Sequence, residues 1–160
     1  MRRVITVDPH TTNMLRDVYP KFIQGFNLDV KNYMEVLAEK EPEVLRPRKR
    51  ELVIHDSCVY ARYERMIDQP RRLLARAGAT VKDPELAGRS THCCGGPIES
   101  LFPTKAHEIA ADRIGQLGRS GEEIVTMCPI CLVNLRKAGR VGCRIRDISE
   151  PLAEAYLSRS

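Results

Sequence analysis

The 160 residues fit a single domain by the usual prior of roughly 100–200 residues each, and a chain of that length buries about 70% of its unfolded surface, so it needs neither disulfides nor metal merely to hold a core. Hydrophobic residues at 42% and charged residues at 29% exclude a disordered or collagen-like chain, and aromatics at 5%, with no Trp, exclude base stacking as a mode of action. The formal charge of +5 comes with no nucleic-acid motif, so its basic clusters read as solvated surface or as a face for an acidic partner protein.

In chain order, Met1-Arg2-Arg3-Val4-Ile5 carries no apolar stretch of the secretory kind, and no run approaches the roughly 18 apolar residues of a membrane span. The expected location is the cytoplasm or the inner face of the membrane, where thiols stay reduced. Gly25 to Arg50 predicts a helix bearing Val30, Met34 and Leu37, followed by a basic connector, Arg46-Pro47-Arg48-Lys49-Arg50. Short β-branched runs at Leu52–Ile54, Ala79–Val81, Glu123–Thr126 and Cys143–Ile145 predict strands. Between them, a helix opens near Pro70, carries Leu73, Leu74 and Ala77, and stops at Gly78. A second runs from Pro103 to Leu117 with Ile109, Ala110, Ile114 and Leu117 at helical spacing and Gly118 at its end. A third begins at Pro129 and continues through Leu132, Leu135 and Ala138. Asp147 and Glu150 fall where a terminal helix is capped, with Ser149 as the predicted N-cap. Alternating strands and helices predict an α/β fold with a mostly parallel sheet flanked by helices, of Rossmann-like type.

Six cysteines carry the chemistry: Cys58, Cys93, Cys94, Cys128, Cys131 and Cys143. Clustered thiols in a reducing compartment point to metal or redox chemistry rather than to a disulfide framework. Adjacent residues on an extended segment face opposite ways, so Cys93 and Cys94 converge only if the backbone turns sharply, and the following Gly95-Gly96-Pro97 permits that turn. Cys128-Pro129-Ile130-Cys131 opens a helix, whose N–H groups favour thiolates or an anionic cluster. A thioredoxin-like use of that pair leaves the other three unexplained. Thiolates suit zinc and iron–sulfur clusters alike, although five from three loops match a polynuclear centre better than one tetrahedral ion. Cys58 and Cys128 each follow a predicted strand, which places both at the carboxyl edge of the sheet, where ligands of open α/β sheets gather. Cys143, in the last predicted strand, reads as a buried structural thiol.

His55-Asp56-Ser57-Cys58, Cys93-Cys94-Gly95-Gly96-Pro97 and Cys128-Pro129-Ile130-Cys131 together resemble the cysteine-rich CCG domain, found in the B and D subunits of heterodisulfide reductases and in iron–sulfur subunits of glycolate, lactate, glycerol-3-phosphate and succinate oxidoreductases. The resemblance runs from about Glu51 to Leu157. It implies that Cys58, Cys93, Cys94, Cys128 and Cys131 bind one [4Fe-4S] centre, noncubane in heterodisulfide reductase itself. It further implies an iron–sulfur electron-transfer subunit, or a fragment of one, that relays electrons or reduces a disulfide or thiol substrate. Implied partners are flavoprotein, ferredoxin-type or dehydrogenase subunits of a redox complex, reached at a membrane through those partners. Some copies of the domain carry zinc instead, so the alternative is a zinc-stabilised docking module without redox work.

Thr6 to Arg16 also aligns with Thr126 to Arg136, matching Thr, Pro, Leu and Arg while Asp8 and Thr11 stand at the two cysteine positions. Family members often carry two tandem CCG domains. The chain then divides into a degenerate half-repeat with a helix and basic connector over 1–50, the tail of a preceding unit, and a complete CCG domain over 51–160. Asp8 remains an oxygen donor, but Thr11 supplies no thiolate, and that end reads as metal-free. His55 and His92 flank the first two cysteine motifs and read either as ligands or proton donors, or as hydrogen-bonded residues that orient their loops. Asp56 and Ser57 are candidates to contact the centre's surroundings. No phosphate loop, GxGxxG or Ser-His-Asp set indicates a nucleotide or flavin site on this chain.

Overall fold

A computed structural model describes residues 2–139 and 142–157. The chain begins with β1 (Arg2–Thr6), α1 (Pro9–Asn13), a π-helical turn, α2 (Tyr19–Phe22), β2 (Leu28–Asn32) and α3 (Tyr33–Lys40). It continues through β3 (Arg50–His55), a π-helical turn over Tyr60–Glu64, α4 (Asp68–Arg76), β4 (Ala79–Lys82), α5 (Pro103–Gly118), β5 (Glu123–Thr126), α6 (Pro129–Lys137), β6 (Arg144–Asp147) and α7 (Ser149–Tyr156). The strands form two parallel sheets, β1–β2 and β4–β3–β5–β6. The α/β fold with parallel sheets flanked by helices is as the sequence predicts. Among the described residues no helix is long and apolar enough to cross a membrane.

Period-two alternation splits the larger sheet's core in two. Leu52, Ile54 and Val125 face a cluster with Met34, Leu73, Leu74, Ile148 and Leu152. Val53, Ile124 and Ile145 face the opposite cluster, with Ile114, Leu117, Leu135 and three of the cysteines. Both faces are therefore covered, α3, α4 and α7 on one and α5 and α6 on the other, which is what an all-parallel sheet needs. From β3 the chain crosses to β4 on one side and reaches β5 on the other. The crossovers thus diverge between β3 and β5, and a crevice opens at the carboxyl ends of those two strands.

Three expectations are corrected. Residues Leu28–Asn32 are a strand rather than helix: Val30 and Asn32 alternate into the interior and pair beside β1, so only Met34 and Leu37 belong to α3. The Val30-to-Met34 spacing that suggests a helix straddles a strand end and a helix start. Asn32 marks the boundary, its side chain accepting from Met34 N while Glu35 accepts from Asn32 N. Ser149 is not the N-cap of α7; Asp147 does that work, accepting from Ser149 N at 2.9 Å, with Glu150 accepting from Asp147 N at 3.0 Å. The basic connector has exposed side chains over Arg46–Lys49, while Arg50 is half-buried as the first residue of β3, and its backbone is docked rather than free: Leu45 N and Arg46 N donate to Ala155 O, and Arg48 N to Ala77 O.

Several contacts of the N-terminal unit recur in β5–α6–β6–α7. Arg16 Nε donates to Val30 O at 2.9 Å and pairs with Glu35, as Arg136 Nε donates to Ile145 O at 3.0 Å and pairs with Glu150. Asn32 opposite Thr6 corresponds to Asp147 opposite Thr126. The unit is fixed to the larger sheet by Asn13 and Arg16, both on Glu64 at 2.9 Å, and by the buried Met34.

Helix α7 is tied to the sheet by ions. The buried Arg146 guanidinium binds Glu123 at 3.0 Å, Glu150 at 3.1 Å and Glu154, and Arg50 binds Glu154 as well. These arginines hold the Glu154 carboxyl down to about 2, Arg146 first and Arg50 second, against the opposing effect of burial. A depressed carboxyl stabilises the fold above its ordinary value of 4.5 and loses that contribution as pH falls toward 2. Glu154→Gln therefore lowers the denaturation midpoint at pH 7, and the gap from the parent protein narrows progressively below about pH 4.5; unfolding curves recorded across that range check it, and a gap independent of pH would refute it.

Candidate metal centre

Three loops converge on the crevice between β3 and β5. The first leaves β3 at His55 and carries Asp56, Ser57 and Cys58. Asp56 is an anchor rather than a contact of the sulfurs: its buried carboxylate takes two bonds from Arg71 at 2.9 and 2.8 Å and one from Gly88 N at 2.6 Å. Ser57 is buried, its carbonyl accepting from Ala61 N. The second loop is pinned to the first through Thr91, whose hydroxyl donates to Asp56 O at 2.9 Å, and through Arg62, which donates to Thr91 O at 2.6 Å. It then turns at Gly95, where φ is +80°, a left-handed conformation suited to glycine. A side chain there has no room, since a Cβ would lie 2.4 Å from Ala106 O. The third loop is the Cys128 start of α6, with Pro129 in the first turn.

The turn brings all five motif sulfurs into one string. Cys58 neighbours Cys93, Cys93 neighbours Cys94, Cys94 neighbours Cys131 and Cys131 neighbours Cys128, each acting on the next one's thiol, and the Sγ atoms of Cys94 and Cys131 lie within 4.8 Å of each other. All five are free thiols; Cys94, Cys128 and Cys131 are buried, while Cys58 and Cys93 are half-buried and form the outer end. Cys143 stands apart, just before β6. It is only half-buried rather than buried as expected, with its sulfur packed against Gly118.

Protons are shared unevenly along the string. The Cys58 and Cys94 thiols, and then Gly95 N at 3.3 Å, draw the Cys93 thiol well down. The Cys131 thiol and the N–H groups of Cys131 and Ile130 bring Cys128 down to about 6 despite burial. Cys58 is pushed up, by its bond to Cys93 first and by burial. Cys94 is pushed up to about 12, since the bond from Cys131 is outweighed by the Cys93 thiolate and burial. Cys131 rises well above the ordinary thiol value through its contacts with Cys128 and Cys94. Cys93 and Cys128 are thus the thiols most readily deprotonated, and a metal bound by the cysteines displaces the protons that the others hold more tightly. The donor set fits a soft, polynuclear metal centre: five cysteines from three loops gathered at one place, with backbone N–H groups directed to Cys93, Cys94 and Cys128.

Of the other candidates, His92 is half-buried with Nδ1 against Cys93 O at 3.1 Å, an orienting contact for its loop. His55 is buried at the sulfurs: one of its ring nitrogens and the Sγ atoms of Cys94 and Cys131 all lie within 4.8 Å of one another. Asp8, at the position equivalent to Cys128, accepts from Thr11 N at 2.8 Å and caps α1. Sequence reasoning missed Arg113, which is fully buried and donates to His55 Nδ1 at 3.1 Å. A signal was available, because Arg113 lies on the buried stripe of Ala106, Ala110, Ile114 and Leu117, where an unpaired cation is costly.

A parallel α/β domain with a five-cysteine site at its topological switch point defines the class. The Cysteine-rich domain family model, CCG, matches residues 52–136, and the chain belongs to that family. Among curated proteins it is similar to the "Probable iron-sulfur-binding oxidoreductase FadF" of Bacillus subtilis (strain 168), 31% identical with 98% of this chain and 24% of the relative covered. It is also similar to the "EtfAB:quinone oxidoreductase" of Syntrophomonas wolfei, 28% identical over 97% of this chain and 24% of the relative. A "Probable membrane-anchored ferredoxin" of Chromohalobacter salexigens is 29% identical over 95% of this chain and 25% of the relative. The chain spans about a quarter of the length of these relatives.

Gly95→Ala should break the convergence, costing about 2 kcal/mol or more through the left-handed backbone and its clash with Ala106 O. Gly25→Ala, with a similar φ of +74° but open space, should cost less. Denaturant titration and the alkylation rate of the buried Cys94 check this; equal losses, with Cys94 still protected in Gly95→Ala, would count against it.

Proposed function

We propose that Cys58, Cys93, Cys94, Cys128 and Cys131 together hold one iron–sulfur centre, of the [4Fe-4S] kind, and that the chain is an electron-transfer segment of a larger oxidoreductase. The observation that carries this reading is the convergence of the five motif cysteines from three loops at the switch point of the sheet, with Cys94, Cys128 and Cys131 in one buried cluster and Cys58 and Cys93 beside it. The printed names of the relatives, an iron-sulfur-binding oxidoreductase, a quinone oxidoreductase and a ferredoxin, support the same chemistry. When bound, such a centre supplies storage and release of single electrons.

The chain's own residues supply ligands, charge balance and access. Five thiolates ligate. The N–H groups of Gly95 and of the first turn of α6 donate to sulfur and offset negative charge. The half-buried Cys58 and Cys93 give the site a mouth, at which an electron donor or a disulfide or thiol substrate of the heterodisulfide-reductase kind approaches. A flavoprotein, ferredoxin-type or dehydrogenase subunit as donor accords with the quinone oxidoreductase among the relatives.

We also read 1–50 as the tail of a preceding CCG-like unit with its connector, and 51–160 as a complete one. The duplicated bonds of Arg16 and Arg136 support this, as does the edge of β1, which among the described residues pairs with β2 alone and is open to a further strand.

The test is metal and sulfide analysis of the intact protein purified without oxygen. Iron and acid-labile sulfide at roughly four of each per centre, with a visible band that dithionite bleaches, is the expected result. Cys94→Ala should lose that band while Cys143→Ser retains it. Stoichiometric zinc without iron would overturn the reading in favour of a docking module, and a band indifferent to Cys94→Ala would remove that residue from the ligand set.

A further inference from the structure

His55 ends β3, and its ring is buried beneath the loops, 1% exposed. Its Nδ1 faces Arg113 Nε at 3.1 Å. A guanidinium has donors and no acceptor, so Nδ1 is the accepting, unprotonated nitrogen and the proton of the neutral ring sits on Nε2. Arg113 has little freedom to turn away. Its other nitrogens donate to Gln116 Oε1 and Leu86 O, both at 2.9 Å, and toward Thr91 Oγ1 at 3.4 Å. Nε2 itself is buried with no hydrogen-bond partner. The ring lies within reach of Cys94 and Cys131, a ring nitrogen and both sulfurs falling within 4.8 Å of one another.

An N–H held in the interior without an acceptor is costly and calls for explanation. Two roles compete for a histidine at this place. As a metal ligand, Nε2 needs a bare lone pair, which puts the proton on Nδ1, nose to nose with the Arg113 N–H in a buried site. As a hydrogen-bond donor, it keeps the tautomer that Arg113 already enforces and meets the sulfur-rich acceptor that its orphaned N–H lacks.

We infer that His55 is not a ligand but an Nε2–H donor to the sulfurs of the centre, and that Arg113 is the positioning residue that locks it in that tautomer. This rests on the reading that the five cysteines hold an iron–sulfur centre. Hydrogen bonds to sulfur offset the negative charge of the reduced state and raise its potential, so the pair sets the potential without touching iron.

The test uses the intact protein in two forms. In the metal-free form, nitrogen-15 spectra of labelled histidine are expected to show His55 protonated at Nε2 and bare at Nδ1, and Arg113→Met should release the proton to exchange between the two nitrogens. A proton on Nδ1 in the parent protein overturns the inference whether or not the centre exists. In the iron-loaded form, His55→Leu should keep the iron and lower the midpoint potential, and His55→Gln, which restores an N–H and still accepts from Arg113, should recover most of the drop. Should His55→Leu fail to hold iron, His55→Gln decides: iron retained with a potential near the parent value supports the donor role, and iron lost overturns it. An unchanged potential in His55→Leu at full iron content also overturns it. Absence of iron from the parent protein defeats the iron–sulfur reading instead, and leaves the tautomer to be judged from the spectra.

Discussion

The fold and its chemistry both depend on one constraint, the parting of two neighbouring parallel strands. β3 and β5 are held side by side, Val53 opposite Ile124 and His55 opposite Thr126, but their connections leave on opposite sides. No crossover can bridge the gap above them, so the carboxyl ends of both strands empty into a crevice that the protein must fill with loops. Cys58 and Cys128 stand at its two banks by virtue of following those strands. The doublet arrives from outside, on a loop steered by Asp56, Thr91 and Arg62.

Much of the rigidity around the sulfurs comes from charges placed below them. Asp56 with Arg71, and Arg113 with the carbonyl of Leu86, tie the loops to α4 and α5 from underneath. The buried cationic groups are matched by hydrogen-bond acceptors rather than by solvent, which is the condition for tolerating them. The upper side is left to sulfur, N–H groups and a mouth at Cys58 and Cys93.

The larger sheet, its helices and the placement of the five cysteines were legible in the sequence because each rests on a local signal. Strands were short and β-branched, helices carried Pro70, Pro103 and Pro129 in their first turns, and Cys58 and Cys128 followed strands closely. What escaped notice depended on distant partners. β2 was hidden because Val30 and Met34 mimic helical spacing, and only pairing with β1 reveals Leu28–Asn32 as extended. Asp147 displaced Ser149 as the cap because Ile148, between them, is already in helical conformation. Arg113 shares the helical stripe of Ala110, Ile114 and Leu117, but its partner His55 lies 58 residues away in sequence. The uneven sharing of protons among the thiols depends on which sulfurs touch, and no spacing rule conveys that.

The open flank of β1 has a practical meaning. Among the described residues this strand bonds to β2 on one side only, and Ile5 on it and Val7 just beyond its end are exposed at 55% and 64%. An unprotected strand edge with apolar side chains is a template for adding another strand. Such an edge can take a second copy of the chain as its neighbour, joined edge to edge through main-chain bonds.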